Sequence, residues 1–178
     1  ILLWGDTKDN NVGGVNTGEG NLIKGNRDGI VIDGAGTTGN SVRGNQVFAN
    51  DESNLALNAS DTVTANDADD SDTGANNLQN YPVLATAILY GTDLTITGTL
   101  QSTADTDYVI DFYSAAVGAA NGHGGAEQYL GSAAFTTNAS GNAAIEATFD
   151  TTGLSAGHIV TATATVDLGG GNVGDTSE

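Results

Sequence analysis

The sequence predicts an all-β protein in which rungs of a parallel β-helix are followed by an immunoglobulin-like β-sandwich. Short apolar segments recur early in the chain at a fixed interval, and alternating apolar and polar runs fill the rest. Composition agrees, because 26 glycines and a single proline leave almost no helix-forming run. We expect the rungs over residues 1–64, an acidic junction over 65–80 and the sandwich over 81–178.

The repeat is clearest between residues 21 and 58. NLIKGN at 21–26 recurs as NQVFAN at 45–50, and GIVID at 29–33 recurs as NLALN at 54–58. Short strands that return at this interval between Gly, Asn and Asp are typical of a β-solenoid, where each turn of chain forms one rung. Extended backwards, the same register places ILL at 1–3 over IVI at 30–32, and NV at 11–12 before SV at 41–42.

The repeat also predicts which side chains stack on one another from rung to rung. The inward apolar pairs are Ile30 with Leu55, Ile32 with Leu57 and Ile23 with Val47, and the asparagine pairs are Asn21 with Asn45 and Asn26 with Asn50. Because side chains alternate along a strand, Val31 and Ala56 should face outward. The asparagines should occupy corners, where this residue tolerates left-handed backbone and where stacked amides can form a hydrogen-bonded ladder.

Seven alternating runs follow Tyr81, which matches the size of an immunoglobulin-like sandwich. The runs are PVLATAILY, DLTITGTLQ, DYVIDFYSA, EQYLGSAAFTT, GNAAIEATFD, GHIVTATATV and VGDTSE. The predicted core faces are Leu94, Ile96 and Leu100; Tyr108, Ile110 and Phe112; Ala143, Ile145, Ala147 and Phe149; and Val160, Ala162, Ala164 and Val166. Asp111 should point outward, and the Gly/Ala-rich stretch 115–126 should form a surface loop.

Charge is distributed unevenly along the chain. All four basic residues and only five of the 22 acidic residues lie within residues 1–43, so the remainder is a polyanion without Lys or Arg. This argues against nucleic acid and anionic membrane surfaces as partners, because both require Lys and Arg to neutralise phosphate. No segment is long and apolar enough to predict membrane insertion. The absence of cysteine excludes disulfides and thiol sites.

The junction holds the one candidate metal site. Asp67, Asp69, Asp70 and Asp72 lie within six residues, close to the spacing with which a loop wraps oxygen ligands around a hard cation. Calcium is the natural candidate, with Asn66, Asn76 and Asn77 as further oxygen ligands. The alternative is a solvated acidic linker, because no bidentate Glu follows at the position used in an EF-hand.

No catalytic constellation is visible in the sequence. The residues that could serve a polysaccharide lyase are Lys24, Arg27, Asp28, Asp33 and Arg43, and they fall at turns or outward strand positions. His123 and His158 lack metal-ligand spacing and should be surface residues. An exposed Trp4 could stack on a sugar ring, but packing against a segment that precedes Ile1 is the favoured interpretation.

The run GVNTGEGNLIKGNRDGIVIDGAGTTGNSVRGNQVFAN resembles the parallel β-helix repeats of large secreted bacterial proteins. DADDSDTGANNLQNYPVL, with the strands that follow it, is similar to the immunoglobulin-like region behind such helices in surface-exposed proteins. The resemblance implies a right-handed helix and an extracellular or cell-surface location. It is specific for architecture and implies no particular activity.

Two classes of function are therefore open. The favoured one is a non-enzymatic extracellular structural or adhesive module, whose partners are the same chain, neighbouring rungs or domains, or a glycan. The other is the C-terminal part of a carbohydrate-active β-helix enzyme, or a glycan-binding module. Because two rungs are fewer than a solenoid usually needs, an earlier rung, a cap or a neighbouring chain should cover the Ile1 end.

Overall fold

The computed structural model describes residues 1–59, 62–118 and 123–178. The chain is all-β, with two short 3-10 segments at Ala68–Asp70 and Ala75–Leu78. The strands are β1 (Leu2–Leu3), β2 (Asn11–Gly13), β3 (Leu22–Ile23), β4 (Asp28–Ile32), β5 (Ser41–Arg43), β6 (Gln46–Val47), β7 (Ser53–Leu57), β8 (Val83–Tyr90), β9 (Asp93–Gln101), β10 (Asp107–Ala115), β11 (Gln128–Thr136), β12 (Asn142–Asp150), β13 (Ile159–Gly169) and β14 (Asn172–Thr176). Within the described ranges these strands form several small sheets, none of which closes into a barrel.

The first seven strands form three parallel columns, β1–β4–β7, β2–β5 and β3–β6. Their register follows the sequence repeat: Leu2 pairs with Val31, Ile30 pairs with Leu55, and Ile23 pairs with Val47. The predicted pairing is confirmed at each of these positions, because the apolar period admits one register only.

The apolar side chains of the columns form one core. Ile30, Ile32 and Leu57 are at most 1% exposed, and Val42 and Val47 join them. Complete burial of a branched aliphatic side chain contributes about 1.5–3 kcal/mol, so this small cluster is a main source of stability for the columns.

Val31 and Ala56 face outward, away from the core of the columns, as predicted, yet they are only 9% and 4% exposed. They lie in a shallow depression of the outer face, beside Arg27 and Asp28, so outward side chains are covered by their neighbours.

Asparagine side chains connect the columns from turn to turn, as predicted. The Asn21 amide Nδ2 donates to Asn45 Oδ1 at 2.8 Å, and Asn26 Nδ2 donates to Asn50 Oδ1 at 3.1 Å. In both pairs the backbone N–H of the first residue donates to the same oxygen. At each corner, the asparagine oxygen therefore accepts two N–H groups that would otherwise donate to water.

The predicted left-handed backbone does not fall on these asparagines. It falls instead on the preceding residue at several corners, including Gly25, Gly44 and Ala49, with φ of 69°, 63° and 51°. Asn26 is thus free to use both its amide and its backbone N–H in the ladder. At Gly44 a side chain is also excluded by space, because a Cβ would lie 2.0 Å from the Gly14 carbonyl oxygen.

The seven strands predicted after Tyr81 are all present. They form two antiparallel sheets, β11–β10–β13–β14 and β12–β9–β8, which enclose a common apolar core. The predicted faces are confirmed: Tyr108, Ile110 and Phe112 from β10 meet Leu94 and Ile96 from β9 in that core.

The stretch 115–126 is only partly a surface loop. β10 runs through Ala115, which is buried, and Ala126 pairs with Val47 of the parallel columns. Residues 119–122 of this prediction lie outside the described residues.

Candidate functional site

The junction brings three of the four predicted metal ligands together. Carboxylate oxygens of Asp67, Asp70 and Asp72 lie within 4.8 Å of one another. The carboxylate of Asp69 is not in this group and lies beside Gly141 instead. The arrangement depends on left-handed backbone at Asp69 and Asp70, which turns the chain sharply through the short 3-10 segment.

Two of the three carboxylates also hold the junction in place. Asp70 accepts hydrogen bonds from the Asn80 backbone N–H at 2.9 Å and from the Ser102 hydroxyl at 2.6 Å. Asp67 accepts from the Ser71 hydroxyl at 2.7 Å. Asp70 therefore links the junction to the end of β9, and its carboxylate position is fixed before any ligand arrives.

Electrostatics at this cluster oppose ionisation. Burial raises the pKa of Asp70, although hydrogen bonds from Ser102 and Asn80 act in the opposite direction. Burial and the neighbouring Asp67 charge raise the pKa of Asp72. The Oδ1 atom of Asp72 is shielded from solvent and accepts no hydrogen bond within the described residues. A divalent cation would relieve both the repulsion and this unpaired oxygen.

The asparagines expected as additional ligands are engaged elsewhere. Asn66 Oδ1 accepts the Tyr81 backbone N–H, and Asn76 is fully buried against Asn40. Asn77 Nδ2 donates to the carboxylate of Asp175 at 2.7 Å. A cation at the cluster would thus be held by the aspartates, backbone oxygens and water.

The candidate catalytic side chains serve structural contacts. The ammonium of Lys24 lies 5.4 Å from the Phe48 ring centroid, and Arg27 Nε lies 2.7 Å from Glu52 Oε2. Their two aspartate companions accept structural hydrogen bonds: Asp28 accepts from the Ser53 hydroxyl and Asp33 accepts from the Ala59 backbone N–H.

Arg43, the last of these candidates, forms a buried ion pair that joins the parallel columns to the sandwich. Its Nε and Nη2 donate to the two carboxylate oxygens of Asp111 at 2.7 and 2.9 Å. The hydrogen bond to Asp111 is the main cause that raises the pKa of Arg43, against the opposing effect of burial. Tyr129 donates its hydroxyl to Asp111, and Tyr113 accepts from the Gly44 backbone N–H at 3.0 Å.

Asp111 points away from the sandwich core, as predicted. It is nevertheless fully buried, because the parallel columns pack on that face of the sheet. The one feature of the sequence that could have predicted this burial is Arg43, a basic residue of the repeat that has no acidic residue close to it in sequence.

Residues 126, 176 and 178 cover all three parallel columns on one side. Thr176 accepts the Val42 backbone N–H at 2.9 Å, and Glu178 accepts the Leu57 backbone N–H. On the third column Val47 and Ala126 exchange two backbone hydrogen bonds, at 2.8 and 2.9 Å. We call this side the capped edge, and the side formed by β1, β2 and β3 the Ile1 edge.

A cavity of about 360 Å³ lies between the columns and the sandwich. Its walls are mainly apolar, and include Val47 and Val160, while Tyr81 and His123 meet edge to face with ring centroids 5.7 Å apart. Burial raises the pKa of Glu178, on its wall, to about 7. Sequence reasoning missed this cavity because residues of both parts of the chain line it.

The Ile1 edge, by contrast, exposes apolar residues. Ile1, Leu2, Trp4 and Leu22 are 50 to 67% exposed. Trp4 therefore has no packing partner among the described residues that would bury it. No helix of the described chain has the length and apolar character needed to cross a membrane, and no grouping of ligand atoms there includes a histidine.

Comparisons with known proteins give little further evidence. No family model and no curated protein matches the chain. Among solved structures, the solution structure of R. palustris CsgH is similar over 56% of this chain and 91% of that chain, at 18% identity and a TM-score of 0.26. A likeness at that TM-score carries no argument about the fold or function of this protein.

Proposed function

We propose that this chain is a non-enzymatic structural module of an extracellular or cell-surface protein. In this proposal the parallel columns are rungs of a right-handed parallel β-helix, and the two antiparallel sheets are an immunoglobulin-like sandwich that caps them. The observation that carries the proposal is the capped edge. There, the side chains of Thr176 and Glu178 and a backbone bridge from Ala126 each cover one of the three columns. Such an arrangement ends a stack of strands and protects it from unwanted pairing.

The engagement of the candidate catalytic residues supports a structural role. A lyase needs a base that is free to reach a sugar proton, beside a cation that neutralises the adjacent carboxylate. Arg43 is fixed in a bidentate pair with its side chain 14% exposed, and Arg27 lies against Glu52. The acidic cluster belongs to the junction rather than to the outer face of the columns.

The charge distribution supports an extracellular setting. A net charge of −18 is self-repelling and is relieved by dissolved salt or bound divalent cations, which are plentiful outside cells. Partners in this proposal are neighbouring turns of parallel chain or another copy, with a glycan as a further adhesive ligand.

The test incubates the protein with a panel of acidic and neutral polysaccharides and measures both product formation and binding. The proposal expects no products from any substrate. Product formation that is lost in Arg27→Ala, with an unchanged melting curve, would replace it with the carbohydrate-active enzyme. Arg43→Lys provides the second arm, because it keeps a charge at the buried pair. Binding without products would identify a glycan-binding module.

A second candidate function is cation binding at Asp67, Asp70 and Asp72. It is favoured by the shielded Asp72 Oδ1, which has no hydrogen-bond partner within the described residues, and by the close approach of three carboxylates. Calcium fits this set, since it takes six to eight oxygen ligands in flexible geometry. Through Asp70 the cation would stiffen the connection between the columns and the sandwich.

A further inference from the structure

Among the described residues, no segment covers the Ile1 edge of the three columns. Ile1 and Leu3 turn their carbonyl oxygens toward β4, where they accept from Val31 and Asp33. By strand alternation, Leu2 turns its N–H and C=O to the other side, which faces solvent. A comparison of two equivalent residues shows how a covering turn changes exposure. Ile1, at the edge, is 50% exposed, whereas Ile30, which occupies the same position in the next turn and is covered by Ile1, is completely buried.

The asparagine ladders give this edge a polarity. In every pair the donor lies nearer the Ile1 edge, and its backbone N–H and Nδ2 both donate to one Oδ1 of the next turn. The pairs are Asn10 to Asn40, Asn40 to Asn76, Asn21 to Asn45 and Asn26 to Asn50. The Oδ1 atoms of Asn10, Asn21 and Asn26 accept no hydrogen bond within the described residues. The edge therefore presents three acceptors in register with the strands.

The three acceptors specify the chemistry of what would cover them. Each matches an asparagine whose backbone N–H and amide donate together, which is the geometry of a further turn that runs in the same direction. At these three corners, a second copy that met the edge head to head would place Oδ1 acceptors opposite Oδ1 acceptors, because its Nδ2 groups already donate to its own next turn. Asparagines that already lie beneath another turn show the effect of such a contact: Asn40 and Asn45 are 0 and 2% exposed.

Charge is also lowest in this part of the chain. Residues 1–43 hold all four basic residues beside five acidic ones, whereas the remaining 17 acidic residues lie beyond them. Repulsion from an approaching polypeptide is therefore smallest at this edge.

We propose that the Ile1 edge binds a further turn of parallel chain that runs in the same direction as β1 to β3. The turn carries an asparagine at each of the three corners, above Asn10, Asn21 and Asn26, and apolar residues above Leu3, Val12 and Ile23. This inference rests on the proposed structural function and names the partner of the module. Binding is by strand addition, in which backbone hydrogen bonds supply affinity and the corner amides select direction.

The test extends the full chain by one turn. A copy of residues 1–29 is placed before Ile1, because Ile30 follows Gly29 in the native chain and stacks on Ile1. A matched extension carries Asn10→Asp, Asn21→Asp and Asn26→Asp in the added copy only, which removes the amide donors and keeps the shape. A charge control carries Thr7→Asp, Lys8→Gln and Thr17→Asp in the added copy, at three exposed positions, and lowers the net charge by the same three units.

The extended chain should remain monomeric by light scattering and should melt about 5 °C or more above the original. Hydrogen exchange at the original Leu2 and Leu22 amides should slow at least about tenfold. The asparagine-to-aspartate extension should lose half or more of both gains, and the charge control should keep them.

Unchanged exchange at Leu2 and Leu22 in the extended chain overturns the proposal. Equal protection by the asparagine-to-aspartate extension overturns the role of the ladders. Dimers of the original chain with protected Leu2 amides would instead identify a second copy as the occupant. None of these outcomes depends on sugar chemistry, and polysaccharide cleavage would overturn the proposed function without altering exchange at this edge.

Discussion

Arg43 and Asp111 form a buried ion pair between the parallel columns and the sandwich. Both charges are almost removed from water, and two hydrogen bonds at 2.7 and 2.9 Å satisfy them. A buried pair of this kind adds little stability over an apolar substitute, but its halves are costly to separate. It therefore specifies how the two parts dock.

We expect Asp111→Ala to destabilise the protein by about 3–5 kcal/mol, because it leaves the Arg43 guanidinium buried without its partner. The double variant Arg43→Met with Asp111→Leu should recover much of that loss. The measurement is urea denaturation followed by fluorescence and far-UV circular dichroism. Asp107→Ala, at an exposed position of the same strand, is the control and should cost less than about 1 kcal/mol. A cost below that value for Asp111→Ala would refute the argument.

Residue-level prediction from the sequence succeeded where one strand period decides the outcome. Ile30 and Leu55, or Ile110 and Phe112, were correctly placed because alternation leaves a single apolar face. The burial of Asp111 was not predicted, because it depends on a partner that lies 68 residues away in sequence. Local pattern contains no information about such a contact.

At the scale of elements, the junction between Asn66 and Asn80 is more ordered than an acidic linker. Its two 3-10 segments carry left-handed residues, and Asn80 bonds both Asp67 and the Gln101 carbonyl. The sequence predicted the clustering of Asp67, Asp70 and Asp72 from spacing alone. It could not separate Asp69 from them, because a single sharp turn decides where each carboxylate points.

Calcium should bind this junction and raise the melting temperature. At a free concentration of about a hundred times the dissociation constant, binding would stabilise the native state by about 2.7 kcal/mol. Calorimetric titration into chelated protein measures the heat, and thermal melts with and without metal measure the stabilisation. Affinity should fall on acidification, because the pKa values of Asp70 and Asp72 are raised and both must ionise to bind.

Two variants distinguish a specific calcium site from nonspecific attraction of calcium to the negatively charged chain. Asp67→Asn with Asp72→Asn should abolish the heat and the melting shift, whereas Asp69→Asn, outside the cluster, should retain both. No heat with the native protein, or the same binding in all variants, would leave an acidic junction without a specific cation.

At the scale of the whole molecule, charge works against the folded state. The net charge is −18. In addition, burial raises the pKa values of two carboxyl groups, those of Glu178 and Asp70. An acid whose pKa is higher in the native state keeps its proton at a pH where the unfolded chain has lost it. Stability is therefore present below the unfolded pKa and is lost as the pH rises.

We expect the melting temperature, measured in chelator, to fall as the pH is raised from about 4.5 to about 7. Glu178 titrates at about 7 in the folded protein against an ordinary value of 4.5. After allowance for the solvent that still reaches it, its contribution over that window is about 2 kcal/mol. Glu178→Gln should flatten the profile, since it does not titrate and still offers an oxygen to the Leu57 N–H.

The control is Glu146→Gln, which removes one exposed charge and should leave the pH profile parallel to that of the original protein. A melting temperature that rises over this window, or the same slope in Glu178→Gln, would show that the Glu178 carboxyl does not govern the dependence.

The capped edge also decides how far fibre growth can proceed along the columns. A fibre lengthens only while each arriving unit offers a fresh template to the next, which requires two complementary ends on every unit. Here the hydroxyl of Thr176 and the carboxylate of Glu178 occupy donors that a template would need, so addition on that side stops. A further turn of parallel chain could therefore pair with these columns at the Ile1 edge and not at the capped edge.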